Sequence, residues 1–456
     1  MNDVPDAKLK IKEENEPKCT LKSLFDSTTG GVSTNVVKGD EEYVKCVIDQ
    51  PLSFQNFIRI SEFVKYIGVT DNFKEIVEYF KGPQGHTPAG FRINYIIVDR
   101  NVLKVDLVRD ISFDQDGIKH ATNTLFSADS ANPYEIAPIK DMIANLTCNP
   151  GIIYDLFINN PNANINNRFK TRDEVMNEIG KILGPGVDIS VELNNPFNDK
   201  EEEILEEAAK FKEMLSKYRV VIKVPHTGPV NSQNVNELLT GDKKFKRRYN
   251  EGATQDMLRG HNLALMLHKH GYRINFTLMF EPYQTSMALQ AKPYFINSFI
   301  RHRSYQSYYI KSLLSAYEVC KDEIFLKQLR TFMVDKDYFS VNDSNIDLLK
   351  VKEKAELILE YRKIDTIEGM DGLDAVRHNL RVLRQSNLPD TRLIICSMEG
   401  DRNYPDIDKM LTEPEFVDMA DKVVITAEPA YLAQFTTCNN VISYQRRFMN
   451  AAQGQK

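Results

Sequence analysis

No stretch of this chain approaches the ~18 uninterrupted apolar residues that a membrane span needs, so its 42% hydrophobic residues are read as cores. Cysteine is sparse and unpatterned. The six, at positions 19, 46, 148, 320, 396 and 438, form no CxxC pair and no metal-ligand spacing, which argues against structural zinc and for reduced thiols. A surplus of positive charge is lacking too: 58 Lys and Arg face 64 Asp and Glu, for a net of -6. Nucleic acid as the main partner would call for a concentrated basic stripe, and none is expected. The opening residues, MNDVPDAKLKIKEENEPK, have no apolar core. They are read as a solvated tail and not as a secretory signal. These exclusions lead to the expectation of a cytoplasmic chain, long enough for one large domain plus an accessory one.

What is present divides the chain near residue 118. Before that point, 53–67 (SFQNFIRISEFVKYI) and 72–80 space their apolar residues as helices do. FRINYIIVDRNVLKVDLV, from Phe91, reads as two strands around a turn at Asp99-Arg100-Asn101. A small α+β extension is therefore expected over 1–118. From about residue 124, short apolar runs alternate with longer amphipathic segments. Strands are predicted over 124–128, 146–147, 188–193, 220–224, 274–280, 294–298, 392–397 and 422–426. Between them lie helices: Thr171 and Glu174 form a capping box in TRDEVMNEIGKIL, and 199–218 carries Ile204, Ala208, Phe211 and Leu215 at helical spacing. Such alternation implies a parallel sheet. Eight strands in one segment imply an α/β fold of (β/α)8, or TIM-barrel, type over 119–456. The stretch from about 304 to 390 has helical patterning and no strand. A crossover needs only about a dozen residues, so a helical insertion before strand 7 is expected.

The segment Val220-Val221-Ile222-Lys223-Val224-Pro225 sets a lysine inside a β-branched run. Burying an unpaired ammonium is costly, and desolvation lowers its pKa. A neutral amine is a nucleophile that condenses with a carbonyl to a Schiff base. On this segment alone, a lysine snorkelling from a strand end or paired to a carboxylate is the simpler reading. The other strand ends shift the balance. Barrel enzymes place their chemistry there, and the residues at those positions are Asp129, Thr147, Asn149, Glu192, Lys223, Asn275, Thr277, Ser298 and Ser397. Each has a bland alternative: Asp129 as a cap, Asn149-Pro150 as a turn, Glu192 as a surface ion pair. Their coincidence on successive strands is the signal.

These residues resemble the transaldolases, Schiff-base barrels related to the fructose-6-phosphate aldolases, from about Leu125 to Thr426. LFSADSANPYEI is similar to the family's first strand, LTCNPGII to its TTNP segment, and ISVEL to the strand carrying its glutamate. VVIKVPHT resembles the KxPxT signature, with Pro225 and Thr227. INFTLMFEPYQ resembles the NxTLxF…Q strand, with Phe280 and Gln284, and FINSFI resembles the next strand, with Asn297 and Phe299. The resemblance implies that Lys223 attacks the C2 carbonyl of a ketose phosphate. It also implies that Asp129 takes the C4 hydroxyl proton, that Glu192 and Thr277 hold a proton-shuttling water, and that Asn149 and Asn275 bind the dihydroxyacetone hydroxyls. Phe299 stands where the related aldolases have tyrosine, which favours transfer over cleavage. No metal and no organic cofactor is implied, because the lysine supplies the electron sink.

The resemblance breaks at the phosphate end. Glu399, in CSMEGDRN, stands where the family has an arginine, and the family's second arginine falls on His302, flanked by Arg301 and Arg303. Two readings stay open: a phosphate site rebuilt from Arg301, Arg303 and Arg402, or a substrate without phosphate. For Arg301-His302-Arg303 the bland reading is a solvated basic patch. The insertion is read either as a lid over the acceptor site or as an oligomer contact, which leaves a homo-oligomer open. The leading function is a transaldolase-type transferase on sugars or sugar phosphates. The rivals are a non-catalytic barrel serving as a scaffold, and a Schiff-base aldolase on unphosphorylated sugars.

Overall fold

The computed structural model describes residues 19–26, 34–81, 87–114, 117–396 and 403–454. Ser397, Glu399 and Arg402 fall outside these residues. Contacts divide the chain into two units, 1–119 and 120–456.

The second unit is a closed barrel of eight parallel strands. They are β1 (Leu125–Asp129), β2 (Ile143–Cys148), β3 (Asp188–Glu192), β4 (Val220–Pro225), β5 (Arg273–Thr277), β6 (Phe295–Phe299), β7 (Arg392–Cys396) and β8 (Val423–Ala427). The ring closes through β8 against β1, with Ala427 level with Ala128. The eight predicted strands are all found, with shifted ends. β2 is six residues rather than two, because its small and polar residues hide a continuous buried run. β5 stops at Thr277 rather than 280, because Leu278 turns the chain into the left-handed region at φ 57°.

The main helices around the barrel are α1 (Arg172–Leu183), α2 (Glu201–Leu215), α3 (Arg259–Lys269), α4 (Arg301–Cys320), α5 (Ile324–Asp335), α6 (Leu348–Tyr361), α7 (Asp374–Arg384) and α8 (Asn403–Thr412). α1 begins on the reciprocal Thr171–Glu174 capping box. Alternate strand residues, such as Ala128, Val191, Ile222, Val224, Ile274 and Phe276, join helix residues such as Val175, Phe211, Leu263 and Leu267 in one core layer. Each such side chain removed from water contributes about 1.5–3 kcal/mol. The opposite parity of every strand faces the barrel interior.

The helical stretch before β7 is two things. α4, α5 and α6 carry a core of their own, with Ile310, Leu329, Met333, Val351 and Ala355. α7 instead gives Val376, Leu380 and Leu383 to the barrel core, so it is the crossover helix between β6 and β7. Among the described residues, no helix is long and apolar enough to cross a membrane.

The first unit has a four-stranded sheet. Phe91–Val98 and Val102–Arg109 form its hairpin, and Asp99 and Arg100 take φ of 48° and 66°, as a tight primed turn demands. The predicted helix over 53–67 ends early: it spans Phe54–Ser61, and Tyr66–Val69 is a strand pairing with Val102–Arg109. A β-branched, aromatic end prefers the sheet once a partner strand is available. Asp40 is buried in this unit, accepts from the Val69 amide and is paired to Lys74 and Lys104.

Candidate active site

The strand register sets the site. Lys223 is level with Glu192 on β3 and with Asn275 on β5, and Asp129 is level with Thr147 on β2. All five have the parity that faces inward, because their neighbours lie in the strand–helix layer. Lys223 is 5% exposed, and its Nζ lies 3.3 Å from Glu192 Oε2.

This pairing corrects the expectation of a depressed amine pKa. Burial alone pulls the Lys223 ammonium down, but the Glu192 and Asp129 carboxylates outweigh it and hold the group above the usual lysine range. Asp129 is shifted upward. Burial raises it, and the Lys223 charge and a hydrogen bond donated by Thr147 (3.0 Å) pull only part of the way back. The resting site therefore holds protons close to where they are exchanged: on the lysine and, more readily than on an ordinary carboxylate, on Asp129.

Among the described residues, two polar atoms of β5 in this interior have no partner. Asn275 Nδ2 and Thr277 Oγ1 are both buried and unsatisfied. Leaving such donors bare costs about 1–3 kcal/mol each, a cost that a bound hydroxyl or water removes. Asn275 cannot turn its amide to avoid this, because Asn297 Nδ2 donates to its Oδ1 at 2.5 Å and to the Phe276 carbonyl at 2.8 Å.

The surrounding loops hold the strand ends still. Thr227 Oγ1 accepts the Gly260 amide and donates to the Asp256 carbonyl, tying the end of β4 to the start of α3. Gly260 permits that approach, since a Cβ there would strike the Pro225 carbonyl oxygen. Gln284 accepts from the Phe280 and Glu281 amides and donates to the Leu278 carbonyl, bracing the turn after Thr277. Phe299 packs on Phe280 with ring centroids 4.7 Å apart.

Several expected site residues stand elsewhere or do other work. Ser298 is buried, but its parity is that of Ile296 and Ile300 in the strand–helix layer, and Asn297 takes the interior place. The FINSFI match, with Asn297 and Phe299, has the inward parity, whereas Ser298, taken from the strand end, has the other, since each residue of a strand reverses the face. Asn149 uses its Oδ1 to accept the Ile152 amide, a local cap that leaves its amide nitrogen for a ligand. Arg303 is no phosphate ligand. It is 3% exposed and ion-paired to Glu281 and Asp374. Arg301 begins α4 just after the end of β6, and its charge pulls the Asp129 pKa downward. The phosphate site expected from Arg301, Arg303 and Arg402 thus keeps Arg301 alone among the described residues.

Sequence reasoning missed Thr426, whose buried hydroxyl is unpartnered on an inward position of β8. It also missed Asn145, which links Ser127 and Ser190 beneath the site, and Arg273, which forks onto Asp188 at the barrel floor. Inward parity on a predicted strand was the available signal for Thr426; Asn145 and Arg273 lie just outside the predicted strands 146–147 and 274–280. Among the described residues, no group of three His, Cys, Asp or Glu side chains is placed to hold a metal ion.

Residues 126–324 match the family model described as transaldolase/fructose-6-phosphate aldolase. This segment belongs to that family. In the transaldolase/fructose-6-phosphate aldolase barrel, the matched stretch runs from β1 through β6 and α4, so it contains the lysine, both carboxylates and both interior asparagines. It leaves β7, β8 and the first unit outside. The activity is accordingly of the aldolase/transaldolase type. No curated protein matches the chain.

Proposed function

We propose that the protein is a transaldolase-type transferase that moves a dihydroxyacetone unit from a ketose to an aldose through a Schiff base on Lys223, in the carbohydrate metabolism of the cytoplasm. The observation that carries this reading is the buried Lys223–Glu192 pair beside two unsatisfied donors, Asn275 Nδ2 and Thr277 Oγ1. An amine, two carboxylates and spare hydrogen-bonding groups are what carbonyl condensation followed by C–C cleavage requires.

The family resemblance and the charges around Lys223 support the following steps. Lys223 passes a proton to the Glu192 side, and the neutral amine adds to the C2 carbonyl. Glu192 and Thr277, through a water, protonate the departing C2 hydroxyl, which leaves as water and gives an iminium. Asp129 takes the C4 hydroxyl proton, the C3–C4 bond breaks, and its electron pair moves into the iminium to form an enamine while an aldose departs. Asn149 and Asn275 hold the hydroxyls of the retained three-carbon unit, with Thr147 on Asp129 behind them. The enamine then adds to the carbonyl of an incoming aldose, Asp129 returns the proton, and water releases the new ketose from the lysine. Phe299 packed on Phe280 supports transfer over hydrolytic release, since an apolar wall beside the enamine limits water.

Borohydride trapping with dihydroxyacetone, read by intact mass, tests the reading. A reduced three-carbon adduct in the wild type that is lost in Lys223→Ala supports it. A wild type that gives no adduct with dihydroxyacetone or any ketose points to a barrel without this chemistry.

A further inference from the structure

Thr426 on β8 points its hydroxyl into the barrel, since Val423, Ile425 and Ala427 occupy the strand–helix layer. The residue is 2% exposed, and its Oγ1 is buried without a partner among the described residues. Its neighbours on both sides are engaged elsewhere. Ser127, level with it on β1, accepts from Asn145 Nδ2 at 2.9 Å. The Cys396 thiol at the end of β7 donates to the Ser298 carbonyl at 3.4 Å. An unpaired buried hydroxyl is costly, and a bound group that pairs with it removes the cost.

The strand ring decides what this hydroxyl faces. β8 is four strands from β4 in either direction, so the two strands stand on opposite walls. Continued from Lys223 through Asn275, Phe295 and Arg392, the register reaches position 422 on β8. Continued the other way, through Glu192, Asn149 and Ala131, it reaches position 430. Ladders climb around a barrel because its strands are tilted, so the height of Lys223 on the far wall is midway between these positions, at Thr426. Lys223 and Thr426 therefore belong to one interior layer, supplied by alternate strands as such layers are. The same register adds Thr147 of β2 and Asn297 of β6 to that layer, and sets Asp129, Glu192 and Thr277 one residue nearer the C-terminal mouth.

This placement orients a ketose held on the lysine. C2 is bound to Nζ. C3, C4 and the rest of the chain run toward the mouth, where Asp129 meets the C4 hydroxyl and where there is room to leave. The C1 arm stays in the closed layer and faces the far wall. Its hydroxyl both donates and accepts, so one side is open to an asparagine amide and the other to a threonine oxygen.

We propose that Thr426 is a specificity-determining residue of the donor site, and that its hydroxyl bonds the C1 hydroxyl of the unit carried by Lys223. The substrate class is then ketoses with a free 1-hydroxyl. A 1-deoxyketose puts a methyl group at that place, leaves Thr426 bare and is disfavoured. The proposal rests on the Schiff-base reading of Lys223 and deepens it by naming this class.

Borohydride trapping on the full-length protein, read by intact mass over a range of ketone concentrations, tests it with dihydroxyacetone and with hydroxyacetone, whose methyl group takes the C1 place. The wild type is expected to reach half-saturation with dihydroxyacetone at a concentration at least about 10-fold lower than with hydroxyacetone, the worth of one hydrogen bond. Thr426→Val keeps the shape, removes the hydroxyl and lowers this preference about 10-fold. Thr426→Ser keeps the hydroxyl and the preference. A defect of packing alone weakens both ketones alike, so an unchanged ratio in Thr426→Val overturns the role of Thr426 while the Schiff base stands. A wild type that takes the two ketones equally, or a serine variant that loses the preference as valine does, also overturns it. Absence of an adduct with either ketone in the wild type overturns the Schiff-base reading and the role of Thr426 with it.

Discussion

Asn297 holds Asn275. The Asn297 amide donates to Asn275 Oδ1 at 2.5 Å, which fixes the Asn275 side chain with its own Nδ2 pointing into the barrel without a partner. One asparagine thus sets the polarity of another. In Asn297→Ala the Asn275 amide is free to turn over, and its acceptor is left bare. A loss of about 10-fold in kcat/KM for the donor ketose is expected, the worth of one misdirected hydrogen bond. Steady-state kinetics beside a thermal melt checks this; a fall in Tm with unchanged kinetics would mean that the contact is only structural.

Lys223 keeps its raised pKa through its carboxylate neighbours, of which Glu192 has the largest influence. Removing that charge in Glu192→Gln leaves the pull of burial less opposed, so the ammonium pKa falls. The rise of borohydride trapping with pH should then begin at lower pH than in the wild type, even where the overall rate is reduced. The midpoint of the pH profile is the readout; a midpoint that stays or moves upward would remove Glu192 from the role of counter-charge.

Asp129 is raised by burial and held back by Lys223 and by the Thr147 hydroxyl. C–C cleavage needs its ionised form, so activity is lost on the acid side at a pH above the ordinary carboxylate range. In Thr147→Val the hydrogen bond to the ionised form disappears, the pKa rises further, and the acid limb of kcat moves to higher pH. A pH–rate profile of the two proteins decides it.

Gly260 sits where α3 meets the Pro225 carbonyl at the end of the lysine strand. Gly260→Ala forces these apart. Overpacking of this kind costs about 1–3 kcal/mol, and the displacement bears directly on Lys223, two residues before Pro225. Chemical denaturation and the trapping rate should both suffer, whereas an alanine at Gly271, where a Cβ meets nothing within 4 Å, costs stability only through its φ of 79°.

Glu281 bridges two buried guanidiniums, those of Arg303 and Arg362. It joins the loop after Phe280 to the insertion. Glu281→Ala leaves Arg362 without its carboxylate and Arg303 with Asp374 alone, a change that costs about 3–5 kcal/mol, and unfolding by denaturant measures it. The same variant should loosen Phe280 and weaken donor selectivity before the fold is lost.

Much of this was written locally. The eight strands announced themselves because a buried parallel strand is a short run of β-branched residues between amphipathic helices. Lys223 stood out because such a run seldom tolerates an ammonium, and the capping box before α1 is read from two residues three apart. What the sequence by itself determined is therefore the barrel, its order and the inward candidates on β1 to β5. The tertiary structure decided everything that depends on a partner distant in the chain. Arg301 and Arg303 are two residues apart and look alike in sequence, yet the charge of one bears on Asp129 and the other is consumed by Glu281 and Asp374. Ser298 and Asn297 differ by one position, and the register of β6 sends only Asn297 inward. The direction of the Lys223 pKa was misread for the same reason: burial is visible in a run of valines, but the carboxylates that outweigh it come from other strands, 31 and 94 positions away in the chain, and only closure of the barrel brings them together.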